Sequence, residues 1–387
     1  MSNSLINPAL RLKEINEYYF SKKMKEVASL QKQGMDIINL GIGSPDIAPP
    51  IEVIEALREA ALENKNGYQS YVGIDELRQE MANFYHNKFE VKLDYTKEVL
   101  PLMGSKEGIM HISMAFLNKG DTVLIPNPGY PTYTSVSNLV EANIVYYDLT
   151  EENNWLPEIN QLNSFLVKKP KLFWLNYPHM PTGQEIPLNK IEEIVLWAKE
   201  NNVLLVNDNP YSFILNNQKP FSIFAIEESK DIALELNSLS KTFNIAGWRV
   251  GMLLGNEFLL QQVLKVKSNM DSGMFYALQK AAIKAMQLSD DWYLQLNEEY
   301  KKRREIIWEI CDILNLKYNK KAVGLFVWAK LPVNTNAEVF IYNLLHQKGI
   351  FITPGKIFGS NGEKYVRFSL CAPVVKINEA KERIVVK

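Results

Sequence analysis

Cysteine is scarce in this chain: its 387 residues contain two, Cys311 and Cys371. Neither has another cysteine or a histidine at metal-ligand spacing, so no zinc site or disulfide framework is expected, and both read as small buried or half-buried thiols in a reducing cytoplasm. An excess of charge is missing too, with 43 basic and 44 acidic residues and a formal net charge of -1. That balance gives no electrostatic reason to expect nucleic acid or an anionic membrane as partner. Mixed runs such as Lys301–Glu305 read as solvated helix faces. No apolar run approaches the length that spans a bilayer. Met1–Leu10 lacks the basic start and apolar core of a secretory signal, so a cytoplasmic protein is expected. Neither a Gly-x-Gly-x-x-Gly after a first strand nor a Gly-Lys-Ser/Thr phosphate loop occurs, so dehydrogenase and kinase readings fail.

What is present is an ordinary globular composition, 47% hydrophobic and 22% charged, in a chain long enough for two domains. Apolar, β-rich runs alternate with amphipathic stretches. The spacing predicts strands at Thr122–Pro126, Ile144–Tyr147, Leu172–Leu175, Val203–Val206, Ile232–Leu236 and Val250–Leu254, with helices at Lys106–Leu117 and Leu188–Glu200. Such alternation implies an α/β fold, a largely parallel sheet covered by helices on both faces. From about Asp290 the pattern changes to a long charged helix, strands at Gly324–Lys330 and Val366–Leu370, and a helix at Ala337–Lys348. These features predict a smaller α+β domain. Tyr18–Leu30 reads as a helix, and the chain's start is assigned to the same small domain. The expected division is a large domain, 45–285, and a small domain built from 1–44 and 286–387.

Polar segments follow directly on the strands: Gly129 and Tyr130, Asn176, Asp208, then Ser238 and Lys241. In open parallel sheets, ligands bind beyond the carboxyl ends of the strands, so these loops point to one site. Within Asn237-Ser-Leu-Ser-Lys-Thr-Phe-Asn-Ile-Ala-Gly-Trp-Arg249, an inward lysine near other cations loses its proton easily and can form imines. Ser238, Ser240 and Arg249 offer donors to a phosphate. Asp208 ends an apolar strand, where a carboxylate is costly unless paired. One role that pairs it is an ion pair with a protonated pyridine nitrogen, worth roughly 5 kcal/mol at about 3 Å and an effective dielectric near 20, before desolvation; a helix cap or turn is the other. Gly104-Ser105-Lys106-Glu107-Gly108 opens a helix, a start that can serve as an anion site, although many helices begin with Ser and bind nothing. Tyr130, beside Gly129, can lie flat on a heterocycle or pack within its loop.

Together these pieces, from about Asn39 to Ser369, resemble the class I aminotransferases of the pyridoxal-phosphate fold-type I superfamily. The most specific match is the complete Ser-x-Ser-Lys-x-x-x-x-x-Gly-x-Arg run ending at Arg249. The resemblance implies pyridoxal 5'-phosphate as cofactor, held as an imine on Lys241, which also moves the proton. It implies that Asp208 pairs with the pyridine nitrogen, that Tyr211 donates to the phenolic oxygen, that Asn176 belongs to the cofactor site, and that Tyr130 stacks on the ring. Ser105, Lys106 through its backbone, Ser238 and Arg249 would hold the phosphate. Arg367, in Tyr365-Val-Arg-Phe-Ser-Leu370, would grip the substrate α-carboxylate, helped by a backbone N–H near Gly43. Tyr71 matches a tyrosine that reaches the neighbouring subunit's phosphate, which implies a homodimer with shared sites. The reaction implied is transfer of the amino group of an L-amino acid to a 2-oxo acid, 2-oxoglutarate being the expected acceptor.

The family's usual Asn-Pro-Thr-Gly loop reads Asn176-Tyr-Pro-His-Met-Pro-Thr-Gly183 here. Met180 stands where an asparagine normally bonds the phenolic oxygen and the carboxylate-binding arginine, and a thioether cannot donate that bond. Either another group compensates, His179 being one candidate, or the site is tuned differently; the preferred reading of His179 is a neutral loop residue with no role. Two other readings stay open. A carbon–sulfur β-lyase shares every motif above, and Ser238-Leu-Ser-Lys241 fits the Ser-x-x-Lys of penicillin-recognising acyl enzymes, although their Lys-Thr-Gly and Ser-Asp-Asn elements are absent. Ser268-Asn-Met-Asp-Ser-Gly-Met-Phe275 resembles a segment of aminotransferases acting on aspartate, aromatic substrates or LL-diaminopimelate, and Tyr18, Tyr19 and Phe20 are candidates to cover a large apolar side chain.

Overall fold

Short runs of Val, Leu and Ile, buried on both sides, determine the architecture. The computed structural model describes residues 6–13, 15 and 17–386, so part of the 1–44 segment lies outside the described residues. Helix α1 (Tyr19–Lys32) leads to β1 (Ile38–Asn39), α2 (Ile51–Leu62) and α3 (Asp75–Phe89). There follow β2 (Val99–Leu102), α4 (Ser105–Phe116), β3 (Thr122–Asn127), α5 (Pro131–Leu139), β4 (Asn143–Asp148), α6 (Ile159–Phe165), β5 (Pro170–Leu175) and α7 (Leu188–Glu200). Next come β6 (Leu204–Asp208), β7 (Ala233–Ser238), the one-turn α8 (Leu239–Thr242), β8 (Gly251–Gly255), α9 (Glu257–Lys267), α10 (Tyr276–Met286) and α11 (Asp290–Ile313). The chain closes with β9 (Lys317–Tyr318), β10 (Phe326–Lys330), α12 (Ala337–Lys348), β11 (Ile350–Phe351), β12 (Thr353–Pro354), β13 (Tyr365–Ser369) and α13 (Val374–Val385).

The central sheet has seven strands in the order β2-β8-β7-β6-β5-β3-β4. All neighbours pair in parallel except β8, which runs against both β2 and β7. The six strands expected here form, their ends shifted by a residue or two. Strand β2 was not expected because Pro101 interrupts its pattern, and it lies at the sheet edge, where a proline is tolerated. Side-chain alternation serves both faces. Val123, Leu172, Trp174, Val206, Leu234 and Leu253 pack with α4, α5 and α9 on one side. Their neighbours Leu124, Phe173, Leu205 and Met252 enter the larger core on the other.

The C-terminal part carries an antiparallel sheet in the order β12-β13-β10-β9. Strand β1 pairs in parallel with β11, Ile38 opposite Ile350, and Ser369 N–H donates to the Leu40 carbonyl at 2.7 Å. The segment after β1 is thereby laid against β13. Arg303 of α11, buried, ties the same segment down through Asp46 at 2.5 Å and the Leu370 carbonyl at 3.0 Å. Both cysteines are free and buried. No helix among the described residues is long and apolar enough to cross a membrane.

Sequence pattern gave no sign of one polar cluster inside the core. Glu235 on β7 is fully buried and accepts from Tyr85 Oη (2.8 Å), Asn207 Nδ2 (3.0 Å) and the Ile223 N–H (2.9 Å). Asn237 Nδ2 donates in turn to Tyr85 Oη at 2.8 Å. Truncating Glu235 strands three buried donors at once, each worth about 1–3 kcal/mol. Glu235→Ala is therefore expected to lower unfolding free energy by about 3 kcal/mol or more in urea titration, with Glu235→Gln losing less. A loss below about 1 kcal/mol would mean that water satisfies the cluster.

Candidate active site

The carboxyl ends of β3, β5, β6 and β7 and the start of α4 open on one cavity of about 400 Å³. Its walls include Gly43, Ser105, Lys106, Tyr130, Asn176, Asp208, Tyr211, Ser238, Lys241, Arg249 and Arg367. Of the cofactor- and substrate-site residues named from the sequence, all except Tyr71 therefore line the same space. Tyr71 sits on an exposed loop, its side chain 45% exposed, away from this cavity.

Lys241 lies on the short helix that continues β7, and its ammonium donates to the Gly43 carbonyl at 2.7 Å. Burial lowers its pKa; Arg249 and Arg367 act in the same direction and Cys371 opposes them. Asp208 closes β6. One oxygen accepts from Tyr133 Oη at 2.7 Å, while Oδ1 is buried without a partner among the described residues. Burial raises this carboxyl to about 7, the Tyr133 bond working against the rise. Tyr133, which was not singled out from the sequence, stacks on Trp174 at 4.9 Å and so holds its hydroxyl under Asp208. Asn176 bridges two loops, donating to the Asp208 carbonyl (2.6 Å) and accepting from Met180 N–H (3.0 Å).

Helix α4 opens at Gly104 with no side-chain cap, which leaves its first turn free to act as an anion site. Gly104 has φ +85°, and a Cβ there would fall 2.0 Å from Arg249 Nη2. Glycine is thus required both by the backbone and by the guanidinium lying across the helix start. Ser238 and Ser240 face the same corner. Ser238 Oγ accepts from Ser240 N–H at 3.2 Å as the cap of α8. Lys241 bonds to Gly43 rather than to Ser238, so nothing here activates that serine as an acyl nucleophile.

At the opposite side β13 delivers Arg367. Its Nη2 donates to the Gly41 carbonyl at 3.0 Å and its Nη1 to the Met180 sulfur at 3.3 Å, while Nε is buried without a partner. Phe326, Phe358 and Phe20 surround the guanidinium at 3.8, 4.6 and 5.6 Å. Among the described residues no carboxylate pairs with it, and burial pulls its pKa down to about 10. A cation so enclosed is a prepared site for an anion. His179 is turned away: its ring nitrogens meet Thr182 Oγ1 (2.7 Å) and the Pro128 carbonyl (3.1 Å). It does not replace the missing asparagine. Tyr18 and Phe20 line the cavity, with Ile42 and Phe326, whereas Tyr19 does not.

These features fit a phosphorylated pyridine aldehyde. An unpartnered buried carboxylate awaits a cation, a helix start and an arginine form an anion corner, and an amine lines the same cavity. Comparison with known proteins agrees. The family model described as Aminotransferase class I and II matches residues 35–384. An LL-diaminopimelate aminotransferase of Aquifex aeolicus is 40% identical over 377 residues, 97% of both chains. The substrate-bound BacF structure from Bacillus subtilis superposes with a TM-score of 0.93 at 35% identity, covering 98% of this chain and 97% of the other. An aminotransferase from Staphylococcus aureus gives 0.88 at 32% identity, covering 97% and 98%. With a mostly parallel sheet, an amine, a carboxylate and an anion corner in one cavity, the chain belongs to the class I and II aminotransferases and is a pyridoxal-phosphate-dependent transaminase.

Proposed function

We propose that the chain moves the amino group of an L-amino acid to a 2-oxo acid, with 2-oxoglutarate as acceptor, and works as a homodimer with shared sites. The observation that carries this reading is the convergence of Lys241, the unpartnered Asp208 oxygen and the caged Arg367 on one cavity. Pyridoxal phosphate, when bound, supplies an electron sink that lets the hydrogen on the substrate's α-carbon leave as a proton. Arg367 orients the substrate by its α-carboxylate. Lys241, its pKa lowered, takes the proton from the α-carbon and returns it on the cofactor side. Asp208 supplies the negative charge that keeps a pyridine nitrogen protonated, and Ser105, Ser238 and Arg249 fix the phosphate. The walls of Tyr18, Phe20 and Phe326 exclude water around these groups. The division into a large domain, 45–285, and a small one, 1–44 with 286–387, belongs to the same reading and is supported by the pairing of β1 with β11.

LL-diaminopimelate, on which the relative from Aquifex aeolicus is named as acting, is the first donor to test. A second reading is favoured by the lining itself: Tyr18, Phe20, Ile42 and Phe326 form an apolar bed, and Asp208 is the carboxylate among the lining residues. Apolar and aromatic donors suit that bed. Mixing the enzyme with a panel of donors and following cofactor absorbance decides between them; if no amino acid converts the cofactor, the transamination reading fails. The carbon–sulfur lyase reading is not favoured, since the relatives are aminotransferases.

Arg367→Ala is expected to weaken all α-amino acid donors alike, by roughly 2–5 kcal/mol in kcat/KM, because the α-carboxylate is common to them. A loss confined to one donor would assign Arg367 to the side chain instead. Met180 leads to a spectroscopic expectation. A donor to the phenolic oxygen competes with the proton which that oxygen shares with Lys241's nitrogen, and at Met180 the donor is missing. Met180→Asn is expected to lower the pH at which the bound cofactor's absorbance titrates, by about one unit. With His179 tied elsewhere, an unchanged or raised midpoint would mean that Tyr211 alone already saturates the oxygen.

A further inference from the structure

One wall of Arg367's enclosure comes from outside its own strand and the strands beside it. Between β12 and β13 the chain makes two short turns, Gly355–Phe358 and Ser360–Gly362. The first ends on buried Phe358, whose ring centre lies 4.6 Å from the guanidinium and 5.9 Å from that of Trp328. Strand pairing places Arg367 itself, opposite Trp328 of β10 and Thr353 of β12. The pairing of β12 stops at Pro354, so the ladder does not decide where the following loop lies. A connecting loop with no further bonds is a mobile part of a fold.

This loop is held from another part of the molecule, by the segment that leaves β3 and carries Tyr130. Gly129 N–H donates to the Phe358 carbonyl at 2.7 Å. Buried Asn127 uses both ends of its amide. Its Nδ2 donates to Ser360 Oγ at 2.9 Å and to Asp148 Oδ1 at 3.2 Å, and its Oδ1 accepts the Asn361 N–H at 3.2 Å. Asn361 Nδ2 donates in return to the Asn127 carbonyl at 3.0 Å and to Asp148 Oδ1 at 2.8 Å. Asp148, at the end of β4, is fixed in turn by Gln161, whose Nε2 donates to Oδ2 at 3.2 Å. The fit is close. Gly359 has φ +137°, and a Cβ there would fall 2.1 Å from Asn127 Oδ1, so only glycine lets the two segments meet.

We propose that Asn127 and Asn361 are positioning residues for substrate binding: they pin loop 355–362 to the Tyr130 segment and so keep Phe358 against Arg367. The inference rests on the reading of Arg367 as the α-carboxylate site. The physical link is solvent. With Phe358 in place the guanidinium is shut off from water, where a charge-assisted bond to a carboxylate is strong. With the loop released, water reaches the guanidinium and competes for both ions. The effect falls on the carboxylate, which amino donors and 2-oxo acceptors share. The cofactor's own anchors at Ser105, Lys241 and Arg249 lie on other segments and are left as they are. A joint that only held the fold together would instead show itself in melting temperature and cofactor retention.

The test titrates the cofactor-loaded enzyme by calorimetry with 3-phenylpropanoate, a carboxylate that has no amino group to react. Asn361→Asp sets a second carboxylate against Asp148 and removes the Nδ2 donor. It is expected to weaken probe binding about tenfold or more and to raise KM for all donors alike, with kcat within about threefold of wild type. Neither the pH midpoint of the cofactor's absorbance nor its retention on gel filtration is expected to change. Adding Asp148→Asn supplies an amide where Asn361 had one, and is expected to bring probe binding back to within about threefold of wild type. Gly359→Ala drives the same segments apart without altering an amide, and should give the same loss as Asn361→Asp. Phe358→Ala removes the wall itself, so adding Asn361→Asp to it should cost little more. Probe binding within about twofold of wild type in both Asn361→Asp and Gly359→Ala would overturn the proposal. A loss as large in the Phe358→Ala background as in the wild type would do the same, as would loss of cofactor in step with loss of the probe. If wild type and Arg367→Ala take up the probe alike, the reading of Arg367 itself has failed, and this proposal falls with it.

Discussion

Lys241→Ala is expected to abolish transamination, with turnover falling by more than about ten-thousandfold. Borohydride treatment of the wild type should fix the cofactor to the peptide carrying Lys241. The Lys241→Ala chain should give no such adduct, yet still retain some pyridoxal phosphate, because the anion corner at Ser105 and Arg249 does not depend on the amine. The structural reason is placement. Lys241 is anchored by a strand buried on both sides, stands over the ends of its neighbours, and has its pKa lowered by burial with Arg249 and Arg367 near it. The competitor is Lys106, which also lines the cavity. It is exposed and lies 4.4 Å over the Tyr18 ring, on the rim rather than among the strand ends. An adduct mapped to Lys106, or none at all, would overturn the assignment of Lys241.

Asp208→Asn is expected to retain cofactor and lose turnover by on the order of a hundredfold or more, since each 1.36 kcal/mol of lost stabilisation costs tenfold. The same substitution has a second consequence, free of catalysis. In the chain without cofactor, Asp208 titrates at about 7 when folded, against an ordinary value of 3.8. An acid whose pKa rises on folding penalises the folded state once it must ionise. The penalty is absent below about pH 4, grows between about 4 and 7, and is complete above that range; three units correspond to about 4 kcal/mol. The cofactor-free Asp208→Asn chain should thus be more stable than wild type at pH 8 and nearly equal to it at pH 4, as read by thermal melting. Cofactor binding should reduce the difference by giving the Oδ1 atom its cation. Near wild-type turnover in the variant, together with melting curves that do not diverge with pH, would make Asp208 a structural cap.

Most strands and the polar residues at their ends were legible in the sequence because each is a local signal. Continuous apolar, β-rich runs, a Gly-Ser helix start, and the Ser-x-Ser-Lys to Arg249 run lie within a few residues of chain, and backbone geometry converts them directly into structure. The pyrrolidine ring of Pro101 hid β2 by breaking that local pattern. Which residue types could do amine and carboxylate chemistry was also readable, since pKa and donor count belong to the side chain.

Tertiary structure alone decided what meets what. The Gly43 carbonyl on Lys241, Tyr133 under Asp208, the Met180 sulfur on Arg367 and the turning away of His179 join segments far apart in sequence. So do the burial of Glu235 among Tyr85, Asn207 and Ile223 and the outward face of Tyr71. None of these contacts leaves a trace in spacing or composition. They follow from the crossing of chain segments in a packed sheet and its covering layers, where a side chain's neighbours are set by topology and its pKa by the neighbours and by burial.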